Sequence, residues 1–130
     1  MTSEQLWSRL AYFLTELVPV AAHPDDPPLA MVRGTARLVY KPELYQRLLD
    51  IVPSHANALE FCQGTLGEMH SEMDIYEAID RYAGQGKRGY VHFRNVKGKV
   101  PNDHEVFMMR GTSTCCVPSA SIASTATRAC

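Results

Sequence analysis

The stretch NALEFCQGT, residues 57–65, decides the fold of this chain. Residues 58–62 form a short, mainly apolar run that ends before Gly64, and such a run followed by a turn residue predicts a buried strand. A second strand is predicted in RGYVHFRN, residues 88–95, and a very short one precedes the Pro-rich loop that begins at residue 23. The sequence therefore predicts three strands with long segments between them.

Helical patterns occupy the other segments. Apolar residues recur at helical spacing from Ser3 until Pro19 stops the pattern, and Trp7 and Tyr12 are predicted to lie in the core beneath this helix. A second helix is predicted over residues 42–52 and a third over residues 71–83. Because strands and helices alternate, the sequence predicts an α/β fold with parallel strands.

The bulk composition limits the function classes. The chain has 130 residues, of which 45% are hydrophobic, and its formal net charge is −1. This size suits one domain or part of one, and the charge gives no reason to expect nucleic acid or a membrane as partner. No apolar run is long enough to cross a bilayer, and Glu4 and Glu16 argue against a secretory signal. We therefore expect a cytoplasmic location, where cysteines serve metals or catalysis more than disulfides.

Three residues with metal-ligating side chains stand at or near the ends of the predicted strands. These are His23, Cys62 and His92, and their separations in the chain are 39 and 30 residues. One strand-and-helix unit of a TIM barrel takes about 30 residues, and catalytic residues of such barrels gather at the carboxyl ends of successive strands. Two imidazoles and a thiolate that converge there would make a site for a divalent transition metal.

Each of these residues also has a purely structural interpretation. A single buried cysteine such as Cys62 is commonly a small core residue, and His92 stands between two apolar residues. His23 could cap its loop, in which Asp25 and Asp26 would be solvated acids. The remaining histidines lack a place at a strand end, and we expect them on the surface: His55, His70 and His104.

Four motifs in order carry a family resemblance. They are HPDDPP at 23–28, FCQGT at 61–65, DIYEAI at 74–79 and YVHFRNVKGKVP at 90–101. Over residues 6–108 the chain resembles D-mannonate dehydratase, a member of the xylose-isomerase-like TIM barrels. The resemblance implies a partial (β/α)8 barrel with about three βα units. It also implies dehydration of D-mannonate to 2-keto-3-deoxy-D-gluconate in hexuronate degradation.

The resemblance further assigns roles to individual residues. It implies that His23, Cys62 and His92 bind Mn²⁺ or Fe²⁺, and that the parent family is homo-oligomeric. Arg94 is a candidate contact for a carboxylate or hydroxyl of the substrate, with an ordinary ion pair at the barrel rim as the alternative. Asp25 and Asp26 are expected to orient a metal ligand without binding the metal themselves. The general base and the general acid are not identified.

The chain departs from the family in three places. A family barrel needs eight strands, so we expect the others upstream of the three predicted here. The segment between VPVA and HPDDPP is several residues shorter than in the family, so the strand before His23 is expected to be truncated. After residue 108 the acidic loop, helix and further Asp ligand of the family do not follow.

Residues 109–130 differ from the rest of the chain. They contain no Asp or Glu and show neither helical nor alternating apolar spacing, so we expect a disordered tail. With permitted codons and one added base, the shifted reading frame encodes DEGDVDMLRALRIYREHGYPGV, an acidic loop followed by an amphipathic helix. We therefore interpret residues 109–130 as the product of a one-base loss just after Met108, either in the gene or in its sequencing.

The sequence is compatible with several functional hypotheses. The chain could be a mannonate dehydratase piece, a non-functional product of a broken reading frame, or a related sugar isomerase or epimerase barrel. A small metal module built on Cys115, Cys116 and Cys130 ranks last, because its spacing is not that of zinc sites. We favour the hypothesis that the chain descends from a mannonate dehydratase and that the 130-residue chain is itself inactive.

Overall fold

Three parallel strands form the central sheet. The computed structural model describes residues 1–17 and 19–113. Strand β1 (Val20–Ala22) and strand β5 (Arg88–His92) flank strand β4 (Asn57–Cys62), and both pairings are parallel. The predicted α/β fold with three parallel strands is therefore confirmed for the described residues. Strand β4 is buried at every position, as expected for the centre of a parallel sheet.

Four helices connect and cover these strands: α1 (Ser3–Glu16), α2 (Leu44–Ile51), α3 (Gln63–Glu68) and α4 (Ile75–Gly84). Helix α1 begins where predicted, because Thr2 and Gln5 cap each other's backbone amides reciprocally. The prediction was wrong about the start of α4. Asp74 accepts bonds from the amides of the first turn and makes Ile75 the first helical residue, four residues later than the predicted 71.

The hydrophobic core lies between the sheet and helices α1, α2 and α4. Tyr45 is fully buried, and its ring meets those of Phe61 and Tyr82 edge-on, with centroids 6.3 and 5.5 Å apart. Trp7 is buried as predicted. The prediction for Tyr12 was wrong, since 75% of its surface is exposed and it lies on the outer side of α1. Burial of each large apolar side chain stabilises the fold by about 1.5–3 kcal/mol.

Two short hairpins lie outside the central sheet, and the sequence predicts neither of them. Strands β2 (Met31–Val32) and β3 (Thr35–Ala36) join through Arg33 and Gly34, both at positive φ, as in the tight turns that suit hairpins. Strands β6 (Asn95–Lys97) and β7 (His104–Val106) pair antiparallel after β5. Strands of two or three residues leave no periodic pattern in the sequence.

Part of the predicted tail is among the described residues. A single 3-10 turn spans Met108–Arg110, and the amide of Thr112 donates to the carbonyl of Val96 at 2.7 Å. Ser113 is buried against the side chain of Asn95. Residues 114–130, where the rest of the predicted disordered tail falls, lie outside the described residues. Within the part described, no helix is both long and apolar enough to cross a membrane.

Candidate metal centre

The three predicted ligands meet at the carboxyl end of the sheet. His23 follows β1 directly, Cys62 ends β4 and His92 ends β5. One ligand atom from each lies within 4.8 Å of the other two, and Cys62 Sγ is 3.5 Å from His92 Nδ1. The side chains thus form a single cluster of two imidazoles and one buried sulfur.

A bulge at Gly89 brings His92 beside Cys62. Arg88 pairs with Leu59, but the next pair is Tyr90 with Glu60, so Gly89 is an extra residue in β5. An unbroken register would have placed Val91 beside Cys62, and the bulge places His92 there instead. A glycine is required, because a Cβ at this position would lie 2.6 Å from the Cβ of Ala21.

The short strand β1 is sufficient to place His23. Val20, Ala21 and Ala22 pair with Asn57, Ala58 and Leu59, so the residue after the strand reaches the level of Glu60. Strand β1 is only three residues long, in agreement with the very short strand that the sequence predicts here. It enters the sheet in parallel register and carries His23 to the cluster.

The tautomer of His23 follows from its neighbour. Its Nδ1 is 2.5 Å from the carbonyl oxygen of Pro24, which can only accept, so Nδ1 carries the proton. The lone pair is then on Nε2, which lies 3.7 Å from Oε1 of Glu60, beyond hydrogen-bond distance. A histidine that donates one ring N–H to a backbone carbonyl is the common arrangement for a metal ligand.

A polar network lies directly behind Cys62. Thr65 Oγ1 is 3.0 Å from Cys62 Sγ and 3.3 Å from Oδ2 of Asp26. Arg94 Nη1 donates to the same Asp26 oxygen at 2.5 Å and lies 3.3 Å from Thr65 Oγ1. Asp26 therefore reaches the cysteine through Thr65.

Arg94 also forms an ion pair with a buried acid. Its Nη2 donates to Glu68, of which only 1% of the surface is exposed. Burial raises the pKa of Glu68 to about 7, although the Arg94 charge opposes that rise. Gly64 leaves the space that the arginine side chain occupies, because a Cβ there would lie 2.4 Å from Arg94 Cγ. The guanidinium is thus engaged by acids on two sides.

Asp25 holds the neighbouring loop. Its Oδ2 accepts from the amides of Leu38 and Val39 at 2.8 and 2.6 Å, and its Oδ1 lies 3.0 Å from Arg37 Nε. These contacts fix the return of the loop after β3. Asp25 therefore acts on the shape of the rim, whereas Asp26 connects to the cluster itself.

The sequence reasoning missed three polar residues of this region. Glu60 is 6% exposed and faces the cluster, and a hydrogen bond to it raises the pKa of Tyr90. Thr65 and Glu68 complete the network behind Cys62. Alternation along the strand could have identified Glu60 and Tyr90, since each stands two residues before a predicted ligand. The remaining histidines are exposed, as predicted: His55, His70 and His104.

Comparison with known proteins identifies the family. Residues 1–114 match the family model described as D-mannonate dehydratase (UxuA). The chain belongs to the D-mannonate dehydratase family. Mannonate dehydratase 2 of Halalkalibacterium halodurans is 33% identical to it over 113 residues, which are 81% of this chain and 32% of the relative. Mannonate dehydratase 1 of Bacillus licheniformis is 41% identical over 105 residues, 75% of this chain and 28% of the relative.

The chain thus spans about a third of the length of these relatives in the mannonate dehydratase family. A crystal structure of mannonate dehydratase from Streptococcus suis serotype 2 is similar to it with a TM-score of 0.87 and 22% identity. That similarity covers 96% of this chain and 38% of the other. The two chains therefore share the fold over nearly all of the shorter one.

Proposed function

We propose that the chain carries the metal-binding part of a mannonate dehydratase, which converts D-mannonate to 2-keto-3-deoxy-D-gluconate and water. The observation that carries the proposal is the convergence of His23, Cys62 and His92 within 4.8 Å at the ends of three adjacent parallel strands. The three strands would form one sector of a TIM barrel, in which sites lie at this end of the sheet.

The donor set fits a divalent transition metal. Two imidazoles and a thiolate suit Fe²⁺ well, and Mn²⁺ would need added oxygen ligands from the substrate or from elsewhere. Nε2 of His23 has a free lone pair, and the fully buried Cys62 sulfur already has a hydroxyl donor. Three protein donors leave coordination positions open for a ligand. When bound, the metal would act as a Lewis acid that stabilises negative charge on the substrate as its weakly acidic proton leaves.

The residues around the cluster would orient the ligands and the substrate. Asp26 would fix Cys62 through Thr65. A contact between Arg94 and the carboxylate or a hydroxyl of the substrate belongs to this proposal. The Arg94 side chain is 15% exposed and already pairs with Asp26, Glu68 and Glu105, so a substrate would have to share the guanidinium with them.

We expect no turnover from the 130-residue chain alone. In the described part, β1 and β5 each pair with a neighbour on one side only, whereas a barrel strand pairs on both. Large apolar side chains are exposed as well, among them Tyr12, Phe13 and Tyr90. Unpaired edges and uncovered apolar surface favour self-association over an ordered substrate pocket.

The test is an assay of the purified chain with D-mannonate and either Mn²⁺ or Fe²⁺, with detection of the keto-deoxy product. Metal binding is measured on the same sample by elemental analysis after gel filtration. Bound metal without product is the expected outcome. Turnover at the rate of full-length relatives would refute the proposed inactivity, and absence of bound metal would refute the assembled ligand set.

A further inference from the structure

Thr65 makes the closest polar contact to the proposed thiolate ligand among the contacts described for Cys62. Its Oγ1 lies 3.0 Å from Cys62 Sγ, three residues earlier in the chain. Both residues are fully buried. Because sulfur is larger than oxygen, 3.0 Å is a short separation for a hydroxyl and a sulfur. Burial removes competition from solvent, so the partners that Thr65 meets inside the protein decide where its hydroxyl proton points.

The hydroxyl has one proton and two possible acceptors. Asp26 Oδ2 is 3.3 Å away and already accepts from Arg94 Nη1 at 2.5 Å, whereas Cys62 Sγ is closer, at 3.0 Å. Arg94 Nη1 also lies 3.3 Å from Thr65 Oγ1, and the guanidinium can only donate. The Thr65 oxygen therefore accepts from Arg94, and its proton is directed to the sulfur.

We infer that Thr65 is a positioning residue for the metal site, through a hydrogen bond to the Cys62 thiolate that the Arg94 guanidinium strengthens. A donor that itself accepts from a cation is a stronger donor. The bond would fix the direction of the sulfur lone pairs and withdraw electron density from the sulfur. The inference rests on the proposed function, because it requires Cys62 to bind metal as a thiolate.

Two substitutions separate this role from packing. Thr65→Val keeps the volume and the β-branched shape but removes the donor. Thr65→Ser keeps the donor but removes the methyl group. If Thr65 only fills space, Val should replace it better than Ser. If Thr65 donates a hydrogen bond to sulfur, Ser should replace it better than Val.

The experiment is a titration of the full chain with Co²⁺ under reducing conditions. The readout is the ultraviolet thiolate-to-cobalt charge-transfer band that the Cys62→Ala variant lacks. Subtraction of the spectrum of that variant removes contributions from Cys115, Cys116 and Cys130. Loss of a hydrogen bond raises the energy of the sulfur lone pair, so this band should move to longer wavelength in Thr65→Val. It should stay near the wild-type position in Thr65→Ser. Far-ultraviolet circular dichroism of both variants checks that they are folded.

The outcomes distinguish the inference from the proposed function. If the band of folded Thr65→Val lies at the wild-type wavelength, the role of Thr65 is overturned and the metal site stays intact. A band that moves equally in Val and Ser variants would also overturn it, because packing would then be the cause. If wild-type protein shows no band that depends on Cys62, the proposed metal site fails and the inference fails with it.

Discussion

Arg94 and Asp26 are 68 residues apart in the chain, yet Arg94 Nη1 lies 2.5 Å from Oδ2 of Asp26. The contact joins the loop after β1 to the segment after β5, across the carboxyl end of β4. Because Arg94 also pairs with the buried Glu68, one guanidinium ties together three separate parts of the rim. The ligands of the candidate site extend from the same three parts.

Removal of Arg94 should therefore destabilise the fold. In Arg94→Met the buried Glu68 loses its partner, and we expect the free energy of unfolding to fall by about 2–3 kcal/mol at pH above 7, measured by urea denaturation. Arg9→Met is the control, because Arg9 is exposed on α1 and its loss should matter little. Equal losses in the two variants would show that the Arg94 cluster contributes no more than an exposed charge.

Glu68 should make stability depend on pH. Burial raises its pKa in the folded state to about 7 from 4.5, so the folded chain binds this proton more tightly than the unfolded chain. The contribution is fully present below the unfolded pKa and is lost as the pH rises through about 7. Between these values the free energy of unfolding should fall by at most about 1.4 kcal/mol per pH unit for this one proton. The charges that act on it are those of four residues: Arg94, Asp26, Asp103 and Glu105.

Glu68→Gln should remove this part of the fall with pH, because the amide does not titrate. The measurement is the midpoint of urea unfolding at several pH values for the variant and the wild type. Glu72→Gln, at an exposed site nearby, is the control and should follow the wild type. Parallel curves for Glu68→Gln and the wild type would contradict the assignment of the proton to Glu68.

Metal should stabilise the chain only through the three clustered residues. At about a hundred-fold excess over its dissociation constant, a metal that binds only the folded state adds about 2.7 kcal/mol. We expect Fe²⁺ under anaerobic conditions to raise the melting temperature of the wild type and of His55→Ala. We expect no rise in three variants: His23→Ala, Cys62→Ala and His92→Ala. A rise that survives Cys62→Ala would place the metal elsewhere, for example on the cysteines of residues 114–130.

The bulge in β5 should be intolerant of any side chain at Gly89. In Gly89→Ala the new methyl meets the Cβ of Ala21 at 2.6 Å, so β1 and β5 must separate. We expect a loss of about 1–3 kcal/mol in stability and weaker metal binding, since His23 and His92 move apart. Gly84→Ala is the control, because nothing lies within 4 Å of a Cβ there. Its stability should be unchanged or slightly higher.

The origin of residues 109–130 can be decided by direct measurement. If the base was lost in sequencing, resequencing of the locus should show a frame that continues into an acidic loop and a helix, and mass spectrometry of the expressed protein should lack the peptide that ends in Cys130. If the base was lost in the gene, the tail peptide should be present, and the nucleotides that encode residues 109–130 should specify the acidic loop and helix when read in the shifted frame. A shifted frame that encodes no such segment would falsify the frameshift.

Much of the fold could be predicted because it depends on local patterns. Apolar runs such as the one before Gly64 predicted strands, and helical spacing such as that after Ser3 predicted helices. The positions of three side chains at strand ends predicted that they would cluster. Helix α3 was not predicted, because two of its six residues are glycines, which have a low helix propensity. Its start at Gln63 directly after the cysteine is set by packing that no local pattern encodes.

The network behind Cys62 could not be predicted for a different reason. Asp26, Thr65 and Arg94 meet only because three strand ends are adjacent, and the burial of Glu68 depends on the chain that returns over it near Val100. One signal was available but unused. A glycine inside an apolar strand often marks a bulge, and Gly89 determines which side chain of β5 stands beside Cys62.

The arrangement of the ligands on three different strands has a consequence for local opening of the folded chain. A metal ion that holds His23, Cys62 and His92 would tie β1, β4 and β5 together at their carboxyl ends, across chain separations of 39 and 30 residues. Release of β1 from the sheet would then require loss of the bound ion as well as of the backbone pairings of β1. For a chain whose short β1 makes only three pairings with its neighbour, the ion would therefore limit fraying of the sheet edge, whatever chemistry it also supports.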